Sequence, residues 1–265
     1  MKFRLTAIIL CILLVLSTFA GCKGAQSDNN TADTYTIPSG AVTDITNIDS
    51  SVSTPDESGA DVNNIEGFTP ELFSNGEAAQ VAILDTPVMV EAMGSYTGRF
   101  VEDGSDEAVE NICAVVVKNI GGKPLQYATI TLTAQDSTQY TFVLSTLPAG
   151  CSALVLETEK KVCGDTPLYE CEASVDYTEC EQLYTEDDRV KVTFDGELLH
   201  LENLTDTDFR AVYVRYKNYT AGNVYLGGIT YNASFDNVAA NSIYEYESAH
   251  FYPGGSQVLM VQIIE

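Results

Sequence analysis

The sequence predicts a mainly β chain, two antiparallel β-sandwich domains behind a long polar tether. Three observations carry this. After about Gln80, apolar and polar residues alternate with period 2 through segment after segment. Those segments are rich in Val, Ile, Thr, Tyr and Phe and are punctuated by Gly, Pro, Asn and Asp. Residues 23–66, by contrast, are mostly Ser, Thr, Asp, Asn and Gly and carry neither a strand nor a helix period. The expected division is a leader over 1–21, a disordered acidic linker over 22–67, and sandwiches over 68–184 and 185–265. Roughly 200 ordered residues exceed one ordinary sandwich, which is why two are expected.

Taken in order, Thr69-Pro70-Glu71 offers an N-cap, a proline at the first helical position and an acid in the first turn. It predicts one short helix. Strands are then expected over 80–85, 88–100, 111–119, 126–135, 139–147, 152–159 and 169–179. A second series is expected over 189–194, 197–203, 209–218, 223–231, 242–252 and 256–264. Asp195-Gly196 sits between two alternating segments and favours a two-residue turn. That turn pairs Phe194 with Glu197, Val192 with Leu199 and Val190 with Leu201. Its other face would carry Lys191 beside His200, open to solvent.

A repeat supports two domains. Val117-Lys118-Asn119 and Leu201-Glu202-Asn203 each close an apolar strand and lead into a polar turn. Pro148-Ala149-Gly150 before Leu154 and Leu156 matches Pro253-Gly254-Gly255 before Leu259 and Val261. Proline fixes φ at the turn entrance and glycine takes the φ other residues avoid. An apolar strand ending in Asn, a polar turn, paired strands and a Pro-x-Gly turn resemble small bacterial extracellular immunoglobulin-like modules. The FxLYD-type and CARDB-type domains are the nearest. The resemblance covers about 111–157 and, more loosely, 190–264, and it implies two immunoglobulin-like β-sandwiches. Modules of this shape serve many jobs, so it implies no activity.

The N-terminus gives an address. Lys2 and Arg4 precede an uncharged apolar run from Leu5 to Gly21. That is the pattern of a secretory signal peptide, a little short for a spanning helix. Phe19-Ala20-Gly21-Cys22 resembles a bacterial lipobox, with Phe where Leu is commoner. The resemblance implies cleavage before Cys22 and acylation of its thiol with palmitate-length chains. Two chains anchor stably where one does not. The expectation is a lipoprotein on the extracytoplasmic side of a bacterial cell membrane. A linker of about 44 residues would span roughly 35–40 Å.

Composition limits the partners. Thirteen basic and 38 acidic side chains give a formal net charge of −25. Nucleic acid needs a basic footprint and is excluded as a general ligand. The expected partners are the membrane, through lipid, and a protein or glycan ligand.

Little in the chain reads as catalytic. It has two histidines and no tryptophan. His200 is expected as an exposed bystander, and His250 has no nucleophile and acid marked beside it. No G-x-S-x-G, H-E-x-x-H or P-loop occurs. No cofactor is expected. Asp103, Asp106 and Glu107 cluster on an acidic turn and are weak calcium candidates; their spacing is not that of an EF-hand. Among the cysteines, Cys163 and Cys171 flank a plausible hairpin loop and form the first candidate disulfide. Cys113 and Cys171 also share strand parity with apolar residues and could simply be buried.

The densest unusual signal is tyrosine, with eight of the 15 lying between Tyr213 and Tyr252. Alternation over 209–218 puts Tyr213, Arg215 and Lys217 on one face, an aromatic-basic patch in an acidic chain. Tyr and Arg are favoured at interfaces. These three residues are the candidate binding face. The expected function is a non-catalytic binding, adhesion or assembly module. The alternatives are a solute-binding lipoprotein of a transporter and a carboxylate-dependent hydrolase.

Overall fold

Alternating segments in the N-terminal half pair into two facing sheets. The computed structural model describes residues 60–183, 188–195, 198–251 and 255–265, with the backbone of 36–37. The leader, Cys22 and most of the linker lie outside the described residues, as do Pro253 and Gly254. Two single-turn 3-10 helices, Val62–Asn64 and Leu168–Glu170, are the only helices among the described residues. None is long and apolar enough to cross a membrane.

The strands of this half are β2 (Phe68–Pro70), β3 (Val81–Ala82), β4 (Val88–Phe100), β5 (Glu107–Asn119), β6 (Leu125–Thr133), β7 (Gln139–Leu147), β8 (Ser152–Leu156) and β9 (Glu172–Glu179). They follow β1 (Thr36–Ile37). β4, β5 and β8 form one antiparallel sheet, with β5 central. β7, β6 and β9 form the other, with β6 central. Val88, Val90, Met93, Val115, Val117 and Val155 meet Leu125, Ile130, Leu132, Phe142 and Leu144 in one buried cluster. Each such side chain contributes about 1.5–3 kcal/mol on burial. The opposite face of β4, β5 and β8 is buried too, under Ile65, Phe68, Phe100 and Val101. This corrects the linker boundary. Ile65 is 4 % exposed and the Asp61 amide donates to the Gly222 carbonyl, so residues 60–67 belong to the fold.

The C-terminal half repeats this plan. Its strands are β10 (Val190–Asp195), β11 (Leu198–Asn203), β12 (Phe209–Thr220), β13 (Val224–Leu226), β14 (Tyr231–Val238), β15 (Ile243–Glu247) and β16 (Ser256–Ile264). β10, β11 and β15 pair as β4, β5 and β8 do. β14, β12 and β16 pair as β7, β6 and β9 do. Val190, Leu199, Leu201 and Tyr244 of the first set pack on Val212, Val214, Ala233, Phe235 and Val261 of the second. β1 adds to the edge of β15. The one extra strand is β13, inserted between β12 and β14. It pairs antiparallel with β12 and parallel with β8, making one continuous sheet from the two halves.

The strand-ending asparagines do the same work twice. Asn119 is fully buried; its Nδ2 donates to the carbonyls of Lys123 (2.8 Å) and Leu147 (3.1 Å), and its Oδ1 accepts from the Gly121 amide (3.0 Å). Asn203 donates to Thr207 (2.9 Å) and Ala239 (3.0 Å) and accepts from Thr205 (3.0 Å). Each ties its own polar turn to the far strand's exit. That exit identifies the true counterpart of Gly150 (φ 78°) as Asn241 (φ 51°), not the Pro253 turn. Asn119→Ala and Asn203→Ala should each cost about 2–4 kcal/mol, since a buried side chain and its three bonds to buried or partly buried backbone are lost together. Urea denaturation reads this directly. A loss below about 1 kcal/mol would refute the clamp.

Two other expectations change. Residues 69–71 form no helix: Thr69 pairs with Ser95 on the edge of β4, and the Glu71 carboxylate takes the Leu168 amide at 2.8 Å. The β10–β11 register lies two residues from that of an Asp195-Gly196 turn. Phe194 pairs with Leu199, Val192 with Leu201 and Thr193 with His200. A shift of two preserves the faces, and it gives Phe194 a leucine neighbour in place of Glu197. His200 is consequently no open bystander. It sits between β10 and β15, 18 % exposed, with Nδ1 3.5 Å from Glu245.

Candidate binding cleft

The β13 insertion sets the site. Beyond β13 the chain turns at Gly227 (φ 80°) and runs over the first half's second sheet. The Ser145 amide (2.8 Å) and hydroxyl (2.9 Å) both donate to the Gly228 carbonyl. Thr230 Oγ1 donates to the Ser145 carbonyl at 3.0 Å. Glu102, from the turn after β4, accepts the amides of Gly228 (2.9 Å) and Leu156 (2.8 Å). Lys217 Nζ donates to the carbonyls of Gly227 (3.3 Å), Gly228 (2.9 Å) and Ile229 (2.6 Å). Three carbonyls match the three N–H bonds of an ammonium.

Lys217 therefore leaves the expected patch. It shares strand parity with Arg215, but the insertion folds over it and its exposure falls to 0 %. Burial pulls its amine down to about 7 and pushes the Glu102 carboxyl up. Tyr213 and Arg215 remain half-buried on β12, beside Ser234 and Asn232 of β14.

Arg215 lines a cleft of about 520 Å³ between the two halves. Gln126 and Tyr127 of β6, Ser145 and Thr146 of β7 and Thr178 of β9 form one wall. Arg215, Thr230 and Asn232 form the other. Two distortions shape the first wall. A bulge separates Leu125 and Tyr127 where β6 meets β9. Thr146 holds φ 46°, a conformation that β-branched residues rarely adopt. Such outliers persist where surrounding structure over-determines them, often at ligand sites.

The chemistry of the cleft is unlike that of the chain. Its lining contains no carboxylate, histidine or thiol. It offers hydroxyls, two amides, the half-exposed Tyr127 ring and one guanidinium. Among the described residues, Arg215 has no ion-pair partner. Of the eight lining residues, Arg215 is the one the sequence had marked. Alternation shows that Tyr127 and Ser145 face outward, and the segment around Asn232 reads as a loop. Alternation does not show that the three face one another.

The remaining sequence candidates lie elsewhere and are occupied. Lys160 holds Glu107 at 2.6 Å and Asp103 at 3.6 Å. Asp106 lies 3.7 Å from Arg99 and 3.6 Å from His250 Nδ1. His250 stacks on Tyr231 with ring centroids 4.9 Å apart. Among the described residues no cluster of three or more His, Cys, Asp or Glu is placed to hold a metal. Cys163 does not face Cys171: its Sγ lies 2.6 Å from Cys113 Sγ, while Cys171 Sγ approaches the Pro167 carbonyl at 4.0 Å. Comparison with protein-family models, curated proteins and solved structures found no match.

Proposed function

We propose that this chain is a lipid-anchored, extracytoplasmic binding module, held to a bacterial membrane through Cys22, whose ligand seats in the Arg215 cleft. One observation carries the reading. In a chain of net charge −25, an arginine with no acidic partner among the described residues lines a concave site whose described lining contains no carboxylate. Lys160 and Arg99, by contrast, lie beside carboxylates. An unneutralised guanidinium among hydroxyls and amides suits an anionic or hydroxyl-rich group on a protein or glycan partner. The same lining contains no carboxylate, histidine or thiol, which favours binding over hydrolysis.

Arg215→Ala should weaken retention of the partner by about 10- to 100-fold, the worth of a charge-assisted hydrogen bond. Urea stability should stay within about 0.5 kcal/mol, as for other surface changes. Capture assays on the full-length chain, against glycan arrays and membrane-fraction proteins, check it. Equal retention by wild type and variant would remove the cleft from consideration. Mass analysis of the mature N-terminus tests the anchor separately: an acylated Cys22 is expected.

A further inference from the structure

The geometry points to an intramolecular disulfide between Cys113 and Cys163 that staples the segment after β8 onto the central strand β5. Chain pairing brings the two sulfurs together. After β8 the chain bends at Lys160 (φ 59°) and returns alongside β5. Ile112 and Val162 form an antiparallel bridge, the Cys113 amide donates to the Lys161 carbonyl (2.8 Å), and the Cys163 amide donates to the Asn111 carbonyl (3.4 Å). Cys113 and Cys163 are thus diagonal neighbours across a strand pair, with their side chains turned toward each other. Their Sγ atoms lie 2.6 Å apart.

The surroundings hold this arrangement. Glu157, fully buried, accepts the amides of Thr141 (3.2 Å), Glu159 (2.8 Å) and Lys161 (2.8 Å), which fixes the bend that carries Cys163 back. Cys113 is buried in the first sandwich core, and Cys163 is half-buried at its margin. The other three described cysteines are placed differently: Cys151 contacts the Tyr225 hydroxyl, Cys171 the Pro167 carbonyl, and Cys180 follows β9, where its amide donates to the Pro124 carbonyl (3.0 Å).

The chemistry is thiol–disulfide exchange with an external disulfide as oxidant, either a low-molecular-weight disulfide or a dithiol oxidase. Cys163, the less buried of the two residues, attacks as thiolate and forms a mixed disulfide, releasing one thiolate. Cys113 then attacks the Cys163 sulfur. Its proton passes to the second departing thiolate. Two protein thiols and one disulfide become one protein disulfide and two thiols, with electrons balanced. The closed loop spans 50 residues and encloses β6, β7 and β8, a length at which a cross-link strongly restricts the unfolded chain.

The test uses the full-length chain, reduced, then equilibrated with oxidised glutathione, alkylated and mapped without reductant. One cross-linked peptide pair containing Cys113 and Cys163 is expected, two hydrogens lighter than the reduced pair. Reduction should then lower Tm by roughly 5–10 °C. Cys163→Ser should abolish that dependence and Cys171→Ser should keep it. Alkylation of both Cys113 and Cys163, or a bridge from Cys163 to another cysteine, would overturn the assignment, and the wild-type map decides even if a variant fails to fold. Formation in cells rests on the extracytoplasmic reading. A bridge that forms with glutathione yet is absent from acid-trapped cellular protein would overturn that location and leave the pairing standing.

Discussion

Lys217→Met should destabilise the fold by about 3–5 kcal/mol, because several buried polar groups lose their partner together. Methionine fills a similar volume, so the loss is of polar contacts rather than a cavity. Three carbonyls, of Gly227, Gly228 and Ile229, would lose their donor, and below about pH 7 the buried Glu102 carboxylate would also lose the nearby positive charge. Glu102→Gln keeps one oxygen to accept the Leu156 and Gly228 amides. Combined with Lys217→Met it should therefore cost less than the two single losses added, by about 1–3 kcal/mol. pH supplies an independent readout. Burial holds the Lys217 amine near 7. From there to the ordinary lysine range the unfolded chain binds a proton that the folded chain lacks. Stability should rise with pH across that window, and the rise should vanish in Lys217→Met. Urea midpoints for both proteins from pH 7 to 10 measure it; parallel profiles would show that Lys217 is not held down.

Much of the fold was legible because sheets write period 2 into sequence. β4, β7 and β16 have the expected bounds, since each is a run rich in strand-forming residues closed by turn residues, even where bulges interrupt β4 and the pairing of β16. β14 escaped notice, although Tyr231, Ala233, Phe235 and Val238 point inward. Its outward Asn232, Ser234 and Asp236 make it read as a loop. The expected strand over 223–231 shrinks to Val224–Leu226 because the chain turns at Gly227 and Gly228. The repeat was visible in Asn119 and Asn203, whose side chains make equivalent bonds; the Pro253 turn was matched by spacing alone. The cleft was barely legible. Period 2 says that Arg215 and Lys217 share a face of β12, but an insertion distant in register covers one and leaves the other. Tyr127, Ser145, Thr178 and Asn232 come from four strands and meet only because β13 joins β8 in parallel. Parallel pairing between sequence-distant strands leaves no local mark.

That junction makes Gly228 the position least able to change. A Cβ there would lie 1.8 Å from the Val143 carbonyl oxygen, 2.9 Å from its carbon and 3.1 Å from Val155 Cγ1. The obstructing atoms are mainly backbone within β7, so no side-chain rotation relieves them. Gly228→Ala must push the insertion off the sheet or spread β7 from its partners. Both routes break the Gly228 bonds to Ser145, Glu102 and Lys217. The expected cost is about 3 kcal/mol or more, above the usual overpacking penalty because several buried polar groups lose partners together. Gly122→Ala is the control: nothing lies within 4 Å of its Cβ position, so stability should move by less than about 0.5 kcal/mol. Denaturation midpoints separate the two variants. Hydrogen exchange at the Ser145 and Gly228 amides locates the damage, with protection lost there before it is lost in β5. Because Ser145 and Thr230 stand on opposite walls of the cleft, the same substitution should abolish ligand retention even where the sandwiches stay folded. Unchanged exchange at Ser145 would mean that the insertion does not bind the two halves together, and the cleft would lose the contact that closes it.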